Sequence, residues 1–231
     1  MQAFVIRLEN NEYSERVAER CIASGKKYGI KVEPFNAITK EEAYSELKKL
    51  KLEWGWANNN TKNTICPYTG LLQFPYTCKD LRTKIACSLS HFHLWCLSVF
   101  LWEPILILEH DAVFIRELPE IDFKGICQIN DPAGCTPKGK AWSRNMHKRG
   151  RNLSADAWPK TRIEYKDNRP DGLAGNSAYL IHHHAALQLV NAFKEYGVWP
   201  NDATICIQLF PYLEEYYPFI IETRQEKSTT V

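Results

Sequence analysis

Residues 104–111 read Pro-Ile-Leu-Ile-Leu-Glu-His-Asp, a dense apolar run that stops at two carboxylates with one residue between them. A run this short and this apolar reads as a buried strand, and a buried strand requires a sheet with covered faces. Its end delivers Glu109 and Asp111 to the sheet edge, where open α/β sheets place their ligands. Carboxylates are hard oxygen donors suited to Mg²⁺ or Mn²⁺, ions usually held by one or two carboxylates plus the phosphates of a bound ligand. A strand that merely ends in polar residues is the competing reading.

Upstream segments supply the rest of such a sheet. Phe4–Leu8 reads as a strand and Tyr13–Tyr28 as an amphipathic helix with Val17, Ala18, Cys21 and Ile22 on its apolar face, closed by Gly29. Lys31–Phe35 reads as a second strand, and this β-α-β opening with short connections predicts parallel pairing. Glu41–Leu52 reads as a helix charged on one face. Ile85, Leu89, Phe92, Cys96 and Val99 keep helical spacing up to Leu101 and feed the strand at Ile105–Leu108. A further strand is expected at Ile126–Ile129, another ending near Ile181, a helix over about Ala185–Tyr196, and a last helix opening at Trp199-Pro200-Asn201-Asp202. At 231 residues and 45% hydrophobic content the chain can bury a sizeable core, and one domain over residues 1–231 is the simpler expectation.

Two stretches interrupt this pattern. Residues 53–80, with Trp54, Trp56, an Asn run at 58–60, Pro67, Gly70 and Pro75, read as a loop-rich insertion whose aromatics suit either sugar recognition or anchoring. Residues 133–157 carry Lys138, Lys140, Arg144, Lys148, Arg149 and Arg151 with no acid between Asp131 and Asp156. They read as a basic loop able to close on a diphosphate, or as a solvated face. Gly172 and Gly175 precede a strand and can take positive φ or admit a ligand to the backbone; the spacing is not that of a dinucleotide fingerprint.

A net charge of +2 with 24% charged residues gives no global sign of nucleic-acid binding or disorder. The N-terminal apolar residues are too few for a signal peptide. No membrane span is expected, because Ser90, His91 and His93 break the apolar segment around Leu89–Leu101. Eight cysteines without a Cys-x-x-Cys pair read as reduced thiols of a cytoplasmic protein. A bridge stays open only for Cys66 and Cys78, which flank a loop rich in Pro, Gly and Tyr.

Taken in order, these segments resemble glycosyltransferase family 25, which includes lipooligosaccharide and collagen galactosyltransferases. Val5-Ile6-Arg7-Leu8 with Ser14-Glu15-Arg16 resembles the family's opening strand and helix, and Phe35-Asn36-Ala37 its segment after the second strand. Thr83–His91 is similar to Gly-Glu-Ile-Gly-Cys-x-Leu-Ser-His, and Leu108-Glu109-His110-Asp111 to Leu-Glu-Asp-Asp. Gly175–Ile181 is similar to Gly-x-x-Ala-Tyr-Leu-Ile, Pro200-Asn201-Asp202 to Pro-x-Asp, and Gln225–Thr229 to a terminal Gln-x-x-Ser-x. Two positions depart: Lys84 replaces Glu, and His110 replaces the middle acid of the acidic motif.

The resemblance implies an α/β, GT-A-like mixed sheet flanked by helices and an inverting hexosyltransferase. The implied donor is a UDP-sugar, galactose or alternatively glucose, and the implied cation Mn²⁺ or Mg²⁺. A glycan would supply the acceptor hydroxyl. Asp111 and Glu109 would hold the metal, and Arg7, Ser90, Glu109, Gly175 and Asn176 would line the nucleotide sugar. Asp202, as general base, and His91 would be catalytic. Each of these two also has a plainer role, Asp202 as a helix cap and His91 as a satisfied core histidine. A glycolipid acceptor would bring the protein to a membrane surface as a peripheral visitor.

Two other functions fit parts of the chain. Metal-dependent hydrolysis, with zinc in mind, is prompted by His91, His93, His110 and His182-His183-His184, although adjacent histidines on a strand point to opposite faces. A non-catalytic nucleotide-sugar or glycan binder is prompted by the departures at Lys84 and His110.

Overall fold

The computed structural model describes residues 1–57, 62–75, 78–135, 137–150, 168–172 and 175–224. The Asn run at 58–60, residues 151–157 of the basic stretch and the Gln225–Thr229 segment lie outside them. In chain order the elements are β1 (Gln2–Arg7), α1 (Glu12–Lys27), β2 (Val32–Asn36), α2 (Ala43–Leu50), β3 (Thr64–Ile65), β4 (Leu72–Gln73), α3 (Leu81–Leu101), β5 (Ile105–Glu109) and β6 (Ala112–Phe114). There follow β7 (Ile126–Gln128), β8 (Asn130–Asp131), a 3-10 turn (Pro132–Gly134), α4 (Pro137–Gly150), β9 (Ala178–Ile181), α5 (His183–Tyr196), α6 (Asn201–Thr204), β10 (Leu213–Glu215) and β11 (Ile221–Thr223).

The main sheet has six strands in the order β10-β7-β9-β5-β1-β2. β1 pairs in parallel with both β2 and β5, whereas β9 runs antiparallel between β5 and β7. The sheet is therefore mixed, and helices flank it. The apolar density of β5 follows from its place: Ile105 and Ile107 join Leu89, Trp95, Tyr179 and Phe193 on one face, while Leu106 and Leu108 join Val5, Cys21, Phe114 and Leu180 on the other. Each such fully buried side chain contributes roughly 1.5–3 kcal/mol.

Local chemistry sets the helix limits. Asn11 caps α1 by accepting from the Ser14 amide, with Glu12 and Glu15 in the first turn and Lys26 and Lys27 in the last. Asp80 caps α3 through the Arg82 amide, and α3 stops at Trp102 in a left-handed conformation. Contrary to expectation, α3 is long and apolar enough by length and composition to cross a membrane, since scattered Ser and His do not outweigh its Leu, Phe, Trp and Ile. It is a core helix in this fold: 56% of its most apolar stretch is buried, Phe92 stacks on Phe193 of α5 at a centroid distance of 5.6 Å, and Trp95 meets the same ring edge-on at 5.3 Å.

The region at 53–80 holds a short antiparallel β3–β4 hairpin. Trp56 is an anchor: it is buried, packs edge-on against Trp199 at 4.9 Å and donates its Nε1–H to the Phe74 carbonyl at 2.7 Å. Cys66 and Cys78 are not joined by a disulfide. The basic stretch differs from the expected loop, because Pro137–Gly150 is helical. Gly139, Trp142, Ser143 and Met146 turn inward at helical spacing, a face in which Gly139 and Ser143 interrupt the apolar Trp142 and Met146, so its period is faint in the sequence. Trp142 donates to the Glu215 carboxylate at 2.7 Å.

A second, three-stranded sheet, β6-β11-β8, starts directly after Asp111. Glu109-His110-Asp111 is the turn by which the chain leaves one sheet and enters the other.

Candidate functional site

Glu109 closes β5, and its backbone N–H donates to the Ser177 carbonyl at 2.8 Å across the start of β9. The Ser177 hydroxyl lies 3.5 Å from Glu109 Oε2. On the other side, His91 Nε2 stands 3.5 Å from Glu109 Oε1. α3 brings His91 there, and Tyr179 of β9 fixes the ring: the phenol oxygen lies 2.8 Å from His91 Nδ1 and accepts the Trp95 Nε1–H at 2.9 Å. With Nδ1 engaged, Nε2 is the nitrogen presented to the carboxylate. Burial holds the Tyr179 hydroxyl protonated well above its ordinary range.

One helical turn before His91, the Cys87 thiol approaches the same carboxylate, with Asn201 Oδ1 of α6 at 3.9 Å. The ligand atoms of Cys87, His91 and Glu109 all lie within 4.8 Å of one another. Among the described residues this is the one such group of histidine, cysteine and carboxylate.

Asp111 is buried, and its Oδ1 has no hydrogen-bond partner. Burial first, and the Glu109 carboxylate second, push its carboxyl up to about 7. A buried carboxylate with a bare oxygen next to a second carboxylate is a natural seat for a divalent cation, which would remove both penalties. The residues present therefore fit the Mn²⁺ or Mg²⁺ that the acidic motif implies. His110, between them, turns to α1: its Nδ1 lies 3.1 Å from the Ser14 hydroxyl oxygen, and its ring meets Tyr13 edge-on. Burial lowers its pKa.

The Gly-rich approach to β9 lies beside this pair. Gly175 has φ +74°, and a Cβ there would sit 2.3 Å from Cys135 Sγ, so only glycine fits. Cys135 Sγ is 3.9 Å from Ser177 Oγ and 3.7 Å from Thr223 Oγ1, at the junction of the two sheets. Asn176 is buried with its Nδ2 unpartnered. Asn130 also has a bare Nδ2, while its Oδ1 accepts from the Ala178 amide.

The remaining expected residues divide. Arg7 follows Ile6, which is in register with Glu109, so it lies at the same sheet edge, with its Nε 3.3 Å from Asn36 Oδ1. The Ser90 hydroxyl is committed to the fold, donating to the Ala86 carbonyl and accepting the Ile38 amide that pins the chain leaving β2. Asp202 is exposed in the first turn of α6; the cap position belongs to Pro200 and makes no side-chain cap bond, so Asp202 is not the cap. Its neighbour Asn201 meets Cys87 Sγ through Oδ1 at 3.9 Å, so Asp202 stands one residue from a contact with the group.

The histidines behind the hydrolase reading disperse. His93 pairs with Glu46 at 3.0 Å, His182 packs tilted against Phe123, His183 packs tilted against Trp102, and His184 lies 2.7 Å from the Lys124 carbonyl. Sequence reasoning missed Cys87, Tyr179, Ser177 and Cys135 as site residues. Cys87 and His91 were visible as an i, i+4 pair on one helix face.

A family model described as glycosyltransferase family 25 (LPS biosynthesis protein) matches residues 1–205. No curated protein matches the chain. Among solved structures, the apo form of mouse xyloside xylosyltransferase 1 is similar at 8% identity and a TM-score of 0.35, over 92% of this chain and 83% of that one. With its ordered motifs gathered at one edge of a mixed sheet and the family model matched over most of its length, the chain belongs to glycosyltransferase family 25.

Proposed function

We propose that the protein transfers a hexose, galactose or alternatively glucose, from a UDP-sugar to a glycan hydroxyl with inversion. The observation that carries the reading is Asp111, buried with a bare carboxylate oxygen beside Glu109. Mn²⁺ or Mg²⁺ held by these two side chains would supply Lewis-acid neutralisation of the leaving diphosphate. Around that pair, the Gly175 backbone lines the donor while its missing side chain makes room for Cys135, and the bare Asn176 Nδ2 offers the donor a hydrogen bond. Arg7 at the end of β1 adds positive charge at the same edge. Lys140, Arg144 and Lys148 project from exposed successive turns of α4 and meet the anionic part of a donor or acceptor.

Inversion requires a base on the face opposite the leaving group. Asp202, exposed and next to Asn201, whose Oδ1 meets Cys87, is that base; the buried, Tyr179-held His91 faces the Glu109 carboxylate at 3.5 Å. The acceptor is soluble or presented at a membrane surface to a cytoplasmic enzyme. A thermal-shift screen of UDP-galactose, UDP-glucose and other nucleotide sugars with Mn²⁺, followed by UDP-release assays with glycan acceptors, tests the reading. A metal-dependent shift with at least one UDP-sugar and turnover that drops in Asp202→Asn are expected. Binding without turnover across donors and acceptors would leave a non-catalytic binder instead.

A further inference from the structure

Cys87, His91 and Glu109 differ in chemistry from the Glu109–Asp111 pair. A thiol and an imidazole are borderline-soft donors preferred by Zn²⁺, whereas Mn²⁺ and Mg²⁺ prefer oxygen. The spacing also fits zinc. Bonds of about 2.0–2.3 Å in a tetrahedron put neighbouring ligand atoms about 3.3–3.8 Å apart. His91 Nε2 and Glu109 Oε1 are 3.5 Å apart, too far for a good hydrogen bond yet right for that edge. The Cys87 sulfur lies within 4.8 Å of both of those ligand atoms.

The surroundings are those of a supported ligand set. Tyr179 engages His91 Nδ1 at 2.8 Å, which fixes the ring and leaves Nε2 to coordinate. Ser177 lies beside the second Glu109 oxygen. Glu109 is about one-third exposed, so a water or buffer ligand can reach a fourth position. Burial and the Glu109 charge push the empty Cys87 thiol up to about 12; a bound cation reverses that, and the thiol proton passes to solvent as the Zn–S bond forms.

We propose that Cys87, His91 and Glu109 form a zinc site, and that zinc there antagonises Mn²⁺ by taking Glu109 from the donor-cation pair. The second half rests on the transferase reading of Glu109; the first half does not.

The test uses the full chain with metal alone. Co²⁺ is expected to give a thiolate-to-metal charge-transfer band at one equivalent, displaced by Zn²⁺. The band should vanish in Cys87→Ser and Cys87→Ala and persist in Asp111→Ala. Zn²⁺ should release protein-bound Mn²⁺, read by the free-ion paramagnetic resonance signal, in wild type, and at least about tenfold more Zn²⁺ should be needed in Cys87→Ser, the loss of one good ligand. No band in the wild-type protein, or a band that survives in folded Cys87→Ser and Cys87→Ala, overturns the zinc site. Zinc that binds through Cys87 but leaves bound Mn²⁺ in place overturns the antagonism. If the band behaves as expected while Mn²⁺ does not bind at all, the zinc site stands and the donor-cation reading and antagonism fall together.

Discussion

His110 Nδ1 lies 3.1 Å from the Ser14 hydroxyl oxygen, which ties the middle of the Glu109-His110-Asp111 turn to the first turn of α1. Ser14 accepts the Leu8 amide at the same oxygen, so its proton is available for His110. The neutral imidazole favoured by burial is the form that can receive it. The departure from the family's acidic motif is thus a brace between β1, α1 and the turn. His110→Ala is expected to lower unfolding free energy by about 1–2 kcal/mol, for one hydrogen bond and an aromatic edge contact, with Mn²⁺ affinity little changed. Denaturant unfolding and Mn²⁺ titration check the two halves.

Tyr179→Phe removes the oxygen shared by Trp95 Nε1 and His91 Nδ1, both buried. Stranding those groups costs about 1–3 kcal/mol. Chemical denaturation should show that loss, and donor turnover should fall with it as the His91 ring loses its orientation.

Much of this frame was legible in the sequence because it is local. β1, α1, β2, α3, β5 and α5 carry periodicities over one segment each, and the two-sided burial of β5 explains its unbroken apolar run. The β6-β11-β8 sheet was not legible: its strands are two or three residues long and pair Ala112–Phe114 with Ile221–Thr223 across the chain, too short for any period. Glu109 and Asp111 were readable from a strand ending in acids. A cysteine inside an apolar helix reads as a small hydrophobe, which hides Cys87, and the basic stretch reads as a loop because only Trp142 and Met146 of its inward face are apolar.

Gly175→Ala tests the approach to β9. The new methyl would sit 2.3 Å from Cys135 Sγ and 2.8 Å from its Cβ, at φ +74°. The strained backbone and overpacking are expected to cost about 2–5 kcal/mol together. Cys135→Ala in the same chain should recover part of the loss, since it removes the nearer of the two atoms. Thermal melts of the single and double variants read the difference.

The Asp111 carboxyl gives a pH signature with a definite sign. Its folded value, about 7, is above the ordinary 3.8, so the stability it contributes is full below the ordinary value and is lost as pH rises through about 7. The metal-free protein is expected to melt higher at about pH 5.5 than at about pH 8 on this account. Mn²⁺ should raise the melting temperature more at the higher pH, where Asp111 is ionised. Asp111→Asn should shrink both differences.

The central claim is that the carboxylates at the end of β5 hold the cation that serves a UDP-sugar donor. UDP release from UDP-galactose and UDP-glucose, with Mn²⁺ and a glycan acceptor, measured for wild type and Asp111→Ala, tests it most directly. The expected result is metal-dependent release that falls about a hundredfold or more in Asp111→Ala, the scale of losing one charge-stabilising group. Release by Asp111→Ala at the wild-type rate, or a wild-type rate indifferent to the metal, would contradict it.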